Sequence, residues 1–390
     1  MNILLCADTF PPKMGGTENV VLILAKTYTE LGHNVMVVCG DCGELKEVLP
    51  FKLVKVPTLY MKHIDEYYSF PRLKKGLKKI IADFKPDVIH VHTIFVLANY
   101  MLDYAKKHNI KSVVTIHTKF NYSYNLHVPF KNTNLIHKVI VAALTRNPKK
   151  ACEKADVITT VSKSSKKSEI EEAYGITSKD TKVIYNGYDC DLDRKFNIDE
   201  YLVLNDKNKL VLCFAGRIDE TKNIQFSMQI CKELVAKGVP FKFLLAGVGN
   251  QYNKWMKFIK KTHLESNVFL LGRKQLNELI CIYNQSDYML FPSIFDNDSI
   301  ATIEARSCGC PTIAIRDTGT AERIIDGENG YTCDNSIDSF AILLSKLFEK
   351  KQKDYDSVLD MREMTYKIQP KTWAEIANEY IETYKTIVKK

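Results

Sequence analysis

Short β-branched runs alternate with longer helical segments twice along this chain, and that double alternation constrains its fold more than any other feature. The runs at 3–7, 35–39, 54–56, 88–91, 113–117 and 157–161 are rich in Val, Ile and Leu. Consecutive apolar residues, with little polar alternation, suit strands buried on both faces of a parallel sheet. Between them lie segments such as 17–31 and 99–108, whose apolar residues repeat at helical spacing. A further run at 183–189 contains Asn186–Gly187, a strong turn signal. The charged, weakly patterned stretch 192–209 reads as a linker, and the alternation restarts at 211–215, 241–246, 268–271, 288–291 and 312–315. Two consecutive βα arrays predict an α/β protein of two Rossmann-like domains facing each other across a cleft. The expected divisions are 1–190, 191–370 and a last amphipathic helix in 371–390 that packs back on the first domain. Asn186–Gly187 and the segment before the last helix are the expected hinges for closure.

Bulk properties narrow the class. A chain of 390 residues with 45% hydrophobic content can bury two cores, and no segment approaches the roughly 20 apolar residues that span a bilayer. The opening MNILLCADTF has no basic leader or small-residue cleavage site, which predicts a cytoplasmic protein. Most of the 11 cysteines stand in apolar runs, and Cys39–x–x–Cys42 and Cys308–x–Cys310 lack second pairs at zinc spacing, so reduced packing thiols are expected. The net charge of +9 is uneven. Arg72, Lys74, Lys75, Lys78, Lys79 and Lys85 interleave with Leu73, Leu77, Ile80, Ile81 and Phe84, the pattern of a basic amphipathic helix. That pattern reads either as a solvated helix face or as a surface drawn to anionic lipid headgroups. No nucleic-acid-binding module accompanies the charge.

Ligands of doubly wound sheets bind at the carboxyl ends of the strands, so the residues there carry the chemistry. After the first strand, Gly15–Gly16 precede a helix and let backbone approach a phosphate closely. They do not form G-x-G-x-x-G, which weighs against a dinucleotide-dependent dehydrogenase. His117 ends the fifth strand, where it is either a satisfied core residue or a hydrogen-bonding partner for a hydroxyl in the cleft. His90 and His92 alternate on a neighbouring strand and could meet His117 at a metal, but no carboxylate has matching spacing. In the second array, Gly216–Arg217 and Lys222 put two cations near a helix start, suited to a diphosphate whose charge grows as it leaves. Gly247 and Gly272–Arg273 are further glycine-bearing strand ends, able to admit a base or ribose. The stretch 291–314 then joins a strand to a polar loop with Asp296 and Asp298, and to a helix carrying Glu304. Carboxylates flanking unpaired helix N–H groups make a pocket for hydroxyls and phosphates together.

Taken in order, Gly15–Gly16, Thr115-x-His117, Asn186–Gly187, Gly216–Arg217-x(4)-Lys222–Asn223, Asp296-x(7)-Glu304, Cys308–Gly309-x-Pro311 and the run 321–330 resemble family 4 of the glycosyltransferases. Those are retaining enzymes of the GT-B fold, and the resemblance covers nearly the whole chain. It implies that Arg217 and Lys222 bind the diphosphate of a nucleotide-sugar donor, most readily UDP, and stabilise it as it leaves. It implies that Glu304 holds the ribose, that Asp296 meets the sugar hydroxyls, and that the N–H groups of Ser299 and Ile300 meet phosphate or sugar. Gly216, Gly247, Arg273 and Asp298 complete the donor side, and His117 with Gly15–Gly16 close the cleft from the acceptor domain. No metal or other cofactor is expected, since the donor phosphate itself takes the acceptor's proton.

The family pattern E-P-x-G is replaced here by Asp296–Asn297–Asp298–Ser299. A carboxylate one methylene shorter moves by roughly 1 Å on an unchanged backbone, enough to cost about 10²-fold in rate unless the loop is reshaped. Either the loop is reshaped with Asp298 sharing the role, or the donor sugar differs from the family's commonest ones. More loosely, the segments 90–95 and 115–122 are similar to those of diacylglycerol glucosyltransferases. A lipid acceptor is implied, with Tyr122, Tyr124 and Phe130 at its entrance, and a cell-surface glycan is the other acceptor class. The rival functions are a nucleotide-sugar epimerase of the same fold and a non-catalytic subunit supporting a partner transferase.

Overall fold

The computed structural model describes residues 1–13, 15–61, 66–117, 148–189 and 205–389. The chain divides into two compact units, Met1–Gly187 with Lys371–Lys390, and Tyr188–Pro370. Each is built on a parallel sheet, and together they establish the two Rossmann-like layers of an α/β protein.

The first unit contains β1 (Asn2–Ala7), β2 (Asn34–Gly40), β3 (Lys52–Val56), β4 (Thr58–Met61), β5 (Glu66–Ser69), β6 (Val88–Val91), β7 (Lys111–Ile116), β8 (Val157–Thr160) and β9 (Thr181–Val183). Seven of these strands form a parallel sheet in the order β3-β2-β1-β6-β7-β8-β9, while β4 and β5 pair as a separate antiparallel hairpin. Chain order reverses between β1 and β6, so their carboxyl ends open a crevice. Ile3, Leu4, Leu5 and Cys6 are wholly buried, as a central strand covered on both faces requires.

The second unit contains β10 (Leu210–Ala215), β11 (Phe241–Ala246), β12 (Val268–Gly272), β13 (Tyr288–Phe291), β14 (Thr312–Ile315) and β15 (Gly330–Cys333), paired in parallel as β12-β11-β10-β13-β14-β15. Its reversal lies between β10 and β13. Both sheets therefore share one winding, as the repeated sequence pattern predicts. Beneath the second sheet, Lys351 and Asp287 form a fully buried ion pair at 2.8 Å, and Lys351 also donates to Asn205 Oδ1 and to the carbonyls of Asp206 and Lys209.

The helix Trp373–Val388 starts in a capping box, Thr372 with Glu375, and buries Trp373, Ile376, Ala377, Tyr380, Ile381 and Tyr384 within the first unit. A hydrogen-bond chain ties it to the sheet. Thr159 Oγ1 donates to the Val114 carbonyl, which can only accept, so Thr115 Oγ1 is left to donate to Thr159 (2.5 Å). Thr115 then accepts from His90 Nε2 at 2.6 Å, and His90 Nδ1 accepts from Tyr384 OH at 2.6 Å. Tyr28 OH completes the chain, donating to Tyr384 at 3.0 Å. Burial holds the His90 imidazole well below its ordinary pKa, which keeps it neutral as this chain needs.

One sequence expectation is corrected, and the structure adds elements that were not expected. The basic helix expected through 72–85 is broken: Pro71–Leu73 form one 3-10 turn, Gly76 has φ 73°, and the helix is only Leu77–Phe84. Its Leu77 and Ile81 are buried in the core, with Ile80 and Phe84 packed against them, so its apolar face is not available to lipid. The hairpin β4–β5 and the strand β15 were not expected; each is only four residues long and carries polar or glycine residues. Every described cysteine is a free thiol, and all but Cys281 are buried. No described helix is long and apolar enough to cross a membrane.

Candidate functional site

At the reversal point of the second sheet, the loops after β10 and β13 clasp each other. Asn223, in the left-handed region at φ 54°, donates through Nδ2 to the Pro292 carbonyl at 3.0 Å. Ser293 Oγ donates to the Thr221 carbonyl at 2.9 Å, and Lys222 Nζ meets Asp296 Oδ1 at 2.5 Å. The pair is largely buried, with side-chain exposures of 15% and 18%, which keeps it from being screened like a surface ion pair. The other oxygen, Asp296 Oδ2, is buried and has no hydrogen-bond partner among the described residues. An orphaned carboxylate oxygen costs about 1–3 kcal/mol, and a hydroxyl donated by a ligand would recover it.

Asp219 organises the cationic loop. Its carboxylate accepts from Thr221 N at 2.9 Å, capping the 3-10 turn Glu220–Lys222, and holds Arg217 Nε at 3.3 Å. The Arg217 side chain is otherwise 64% exposed, so its guanidinium fork is open to an anion. Gly247 passes directly beside this loop with φ 149°; a Cβ there would stand 1.8 Å from the Gly216 carbonyl oxygen, so only glycine fits. Gly247 N in turn donates to the Gly272 carbonyl at 2.7 Å, placing Arg273, exposed, on the adjoining strand end.

The helix Ile300–Ser307 follows the β13 loop. Ser299 is its N-cap, with no side-chain cap hydrogen bond, so the first helical N–H groups are left for a ligand. Glu304, on the second turn, accepts from Tyr283 OH at 3.3 Å. Burial pushes its carboxyl up to about 7, against the partial relief of that hydrogen bond.

The first unit holds the remaining predicted residues. Gly15 precedes the helix Gly16–Glu30, and a Cβ on it would strike the Glu18 carboxylate, which Thr9 Oγ1 grips at 2.6 Å. His117 Nε2 is 3.0 Å from His92 Nδ1, and burial lowers the His117 pKa to about 4. His92 and His117 thus bond to each other, and His90 bonds to hydroxyls. Among the described residues no group of three or more His, Cys, Asp or Glu could hold a metal ion. At the reversal point of this sheet Asp8 accepts from Thr93 Oγ1 at 2.6 Å and from Leu97 N at 3.0 Å, covering the N-terminus of the helix Val96–Lys107 with a carboxylate. The equivalent helix end in the second unit, at Ser299, carries no such cap.

Two family models match in succession, Glycosyltransferase Family 4 over residues 14–192 and Glycosyl transferases group 1 over residues 198–367. A Klebsiella pneumoniae protein of the cps region, 42.6 kDa and uncharacterized, is 30% identical over 70% of this chain and 74% of its own. The chain belongs to glycosyltransferase family 4. It is a nucleotide-sugar-dependent enzyme of the GT-B fold. The N-acetyl-α-D-glucosaminyl L-malate synthase of Bacillus anthracis is 25% identical to it over 83% of this chain and 81% of that one. Anabaena HepE, solved with UDP and glucose, shares its fold at TM-score 0.69 and 19% identity, covering 98% of this chain and 99% of that one.

Within this transferase the geometry brings Gly216, Arg217, Lys222, Gly247, Asp296, Ser299, Ile300 and Glu304 onto neighbouring strand ends and loops of one sheet. The Asp298 carboxylate, 1% exposed, is engaged by Arg323 at 2.9 Å. Arg306 in turn donates to the Arg323 carbonyl at 2.7 Å, bracing the loop from the helix side. Sequence reasoning missed Asp219, Tyr283 and Arg323. Asp219 could have been found, since Asp followed two residues later by Thr is an N-cap pattern; Tyr283 and Arg323 reach the site from distant segments. Tyr122, Tyr124 and Phe130, named for the acceptor entrance, lie outside the described residues.

Proposed function

We propose that this enzyme transfers a sugar from a UDP-sugar to a hydroxyl of a glycan or lipid acceptor, with retention of configuration at the anomeric carbon. The observation that supports it best is the buried Lys222–Asp296 pair whose second oxygen lacks a partner, next to an uncapped helix N-terminus. Anion donors and a hydroxyl acceptor within one loop suit a sugar diphosphate. Arg217, Lys222 and the N–H groups of Ser299 and Ile300 take the diphosphate; Asp296 Oδ2 accepts from a sugar hydroxyl; Glu304 accepts from the ribose; Gly247 and Arg273 flank the base. His117 and Gly15–Gly16 belong to the acceptor side. The acceptor oxygen forms its bond to the anomeric carbon as the bond to the diphosphate breaks, and the acceptor's proton goes to a departing phosphate oxygen. The donor-binding unit is then Tyr188–Pro370, and the acceptor unit Met1–Gly187 with the last helix.

UDP is favoured by the HepE complex, and N-acetylglucosamine by the name of the Bacillus anthracis relative. The test is a thermal-shift screen of UDP-glucose, UDP-galactose, UDP-N-acetylglucosamine and ADP-glucose, followed by transfer to lipid and glycan acceptors with the product's anomeric configuration read by NMR. A donor at a hundredfold excess over its dissociation constant adds about 2.7 kcal/mol of stability. An inverted product, or no shift with any nucleotide sugar, refutes the reading.

A further inference from the structure

Three histidine rings pack together at the carboxyl ends of β6 and β7. The rings of His90, in β6, and His92, just after it, have centroids 4.0 Å apart and planes tilted by 37°. His92 in turn faces His117, just after β7, at 5.3 Å and 21°. His92 Nδ1 and His117 Nε2 are 3.0 Å apart, a hydrogen bond with room for one proton. Burial keeps all three rings neutral, and a charge on one would be repelled by a charge on the next. A neutral imidazole has one N–H and one bare nitrogen, so the direction of this bond sets the tautomer of both rings. His92 is 2% exposed, and its other nitrogen, Nε2, is buried without a hydrogen-bond partner among the described residues.

That orphaned nitrogen decides the direction. Were His117 the donor, His92 would accept at Nδ1 and carry its own proton on Nε2, a buried N–H with nothing to receive it. Neighbouring rings offer no substitute. An imidazole N–H lies in its ring plane, and tilts of 37° and 21° do not aim it at the face of His90 or His117. With His92 donating instead, Nε2 is a bare lone pair. Surrounding C–H groups meet a lone pair in part, whereas an apolar shell holds no acceptor for an N–H. We infer that His92 is a positioning residue for His117: its Nδ1–H donates to His117 Nε2, fixes that ring, and places the His117 proton on Nδ1. Whatever substrate oxygen His117 meets, it therefore meets as a donor. The inference rests on the reading of His117 as an acceptor-side residue and sharpens it. His117 holds a hydroxyl oxygen without taking its proton, in keeping with a departing phosphate as the proton's destination.

The experiment is nitrogen–proton NMR of the full chain carrying isotope-labelled histidine, which distinguishes protonated from bare ring nitrogens. We expect His92 and His117 each to carry the proton on Nδ1. His90 is the internal contrast, with its proton on Nε2, since Nε2 donates to Thr115 and Nδ1 accepts from Tyr384. His92→Asn keeps an amide N–H where Nδ1 stood, so it should preserve the His117 pattern and transfer within about threefold of wild type. His92→Asp offers only acceptor oxygens there and draws the His117 proton to Nε2. Turnover of UDP-N-acetylglucosamine, with the acceptor that the transfer screen selects, should then fall about tenfold or more in kcat/KM while donor affinity is unchanged, the loss expected of one misdirected hydrogen bond. A general loss of structure would lower both variants and donor affinity together. Wild-type His92 with its proton on Nε2, or a folded His92→Asp protein that transfers like wild type, overturns the proposal. The wild-type spectra need neither substrate nor variant, so they decide the tautomer even if no nucleotide sugar binds, an outcome that would refute the donor reading alone.

Discussion

Lowering the pH from about 8 to about 6 should weaken donor binding roughly tenfold, through the ionisation of Glu304 alone. Burial raises this carboxyl to about 7, from an ordinary value of 4.5. Ribose hydroxyls donate to an ionised carboxylate, so binding draws on the ionised form and returns the group towards its ordinary value. Near pH 6 roughly one Glu304 in eleven is ionised in the free enzyme, against about ten in eleven near pH 8. The apparent dissociation constant therefore rises about tenfold across that interval, or ~1.4 kcal/mol. The donor contributes no slope of its own, because a nucleotide sugar holds its diphosphate as a diester with no proton to exchange in this range. Stability supplies a check of sign. A carboxyl raised in the folded state stabilises the free enzyme below its unfolded pKa and loses that contribution as pH climbs through about 7. Calorimetric titration in buffers of different ionisation enthalpy should show nearly one proton released per donor bound near pH 6. Glu304→Gln should remove both the slope and the proton. A wild-type dissociation constant that is flat over this range, or a Glu304→Gln protein that keeps the slope, refutes the reasoning.

Lys222→Ala should lower kcat by about 10²–10³-fold and, by leaving the largely buried Asp296 without its cation, lower the melting temperature as well; a wild-type rate of UDP release from the folded variant would remove Lys222 from the leaving-group role. Lys351→Met leaves the buried Asp287 without its cation and should destabilise the protein by about 3–5 kcal/mol in urea unfolding, with UDP affinity retained in the folded fraction. Tyr384→Phe deprives His90 Nδ1 of its donor and should cost about 1–3 kcal/mol; an unchanged unfolding midpoint would show the chain to the last helix to be redundant.

Much of the fold was legible because parallel strands buried on both faces cannot hide their composition. Val88–Val91, Phe241–Ala246, Tyr288–Phe291 and Thr312–Ile315 carry the bounds their apolar runs indicate. The hairpin β4–β5 was not legible, since Thr58–Met61 and Glu66–Ser69 form a short pair outside the main sheet and so show no continuous apolar run. The basic segment misled for a related reason. Its interleaved Lys and Leu fit helical spacing throughout, but Gly76 in the left-handed region breaks the segment, and tertiary packing assigns Leu77 and Ile81 to the core. Periodicity indicates that a face is apolar without saying what covers it.

The site divides along the same line. Residues adjacent to a strand end, such as Arg217 and Lys222, can be grouped from the sequence because strand ends converge by topology. What charges do once they converge was not readable. Asp296 and Asp298 are two residues apart and chemically identical; the spacing to Glu304 assigns the hydroxyl contact to Asp296, with Asp298 sharing it if the loop is reshaped. Arg323, 25 positions away, settles the difference by taking Asp298, while Asp296 keeps one oxygen on Lys222 and one without a partner. The close pass of Gly319, where a Cβ would stand 1.9 Å from the Asn297 carbonyl oxygen, fixes the loop between them. The shortened acid of this family member is thus held by a cation on one side and a braced backbone on the other. A side chain one methylene shorter on a loop pinned this way moves its carboxylate without freeing it, so altered donor choice, rather than lost chemistry, is the consequence the geometry favours.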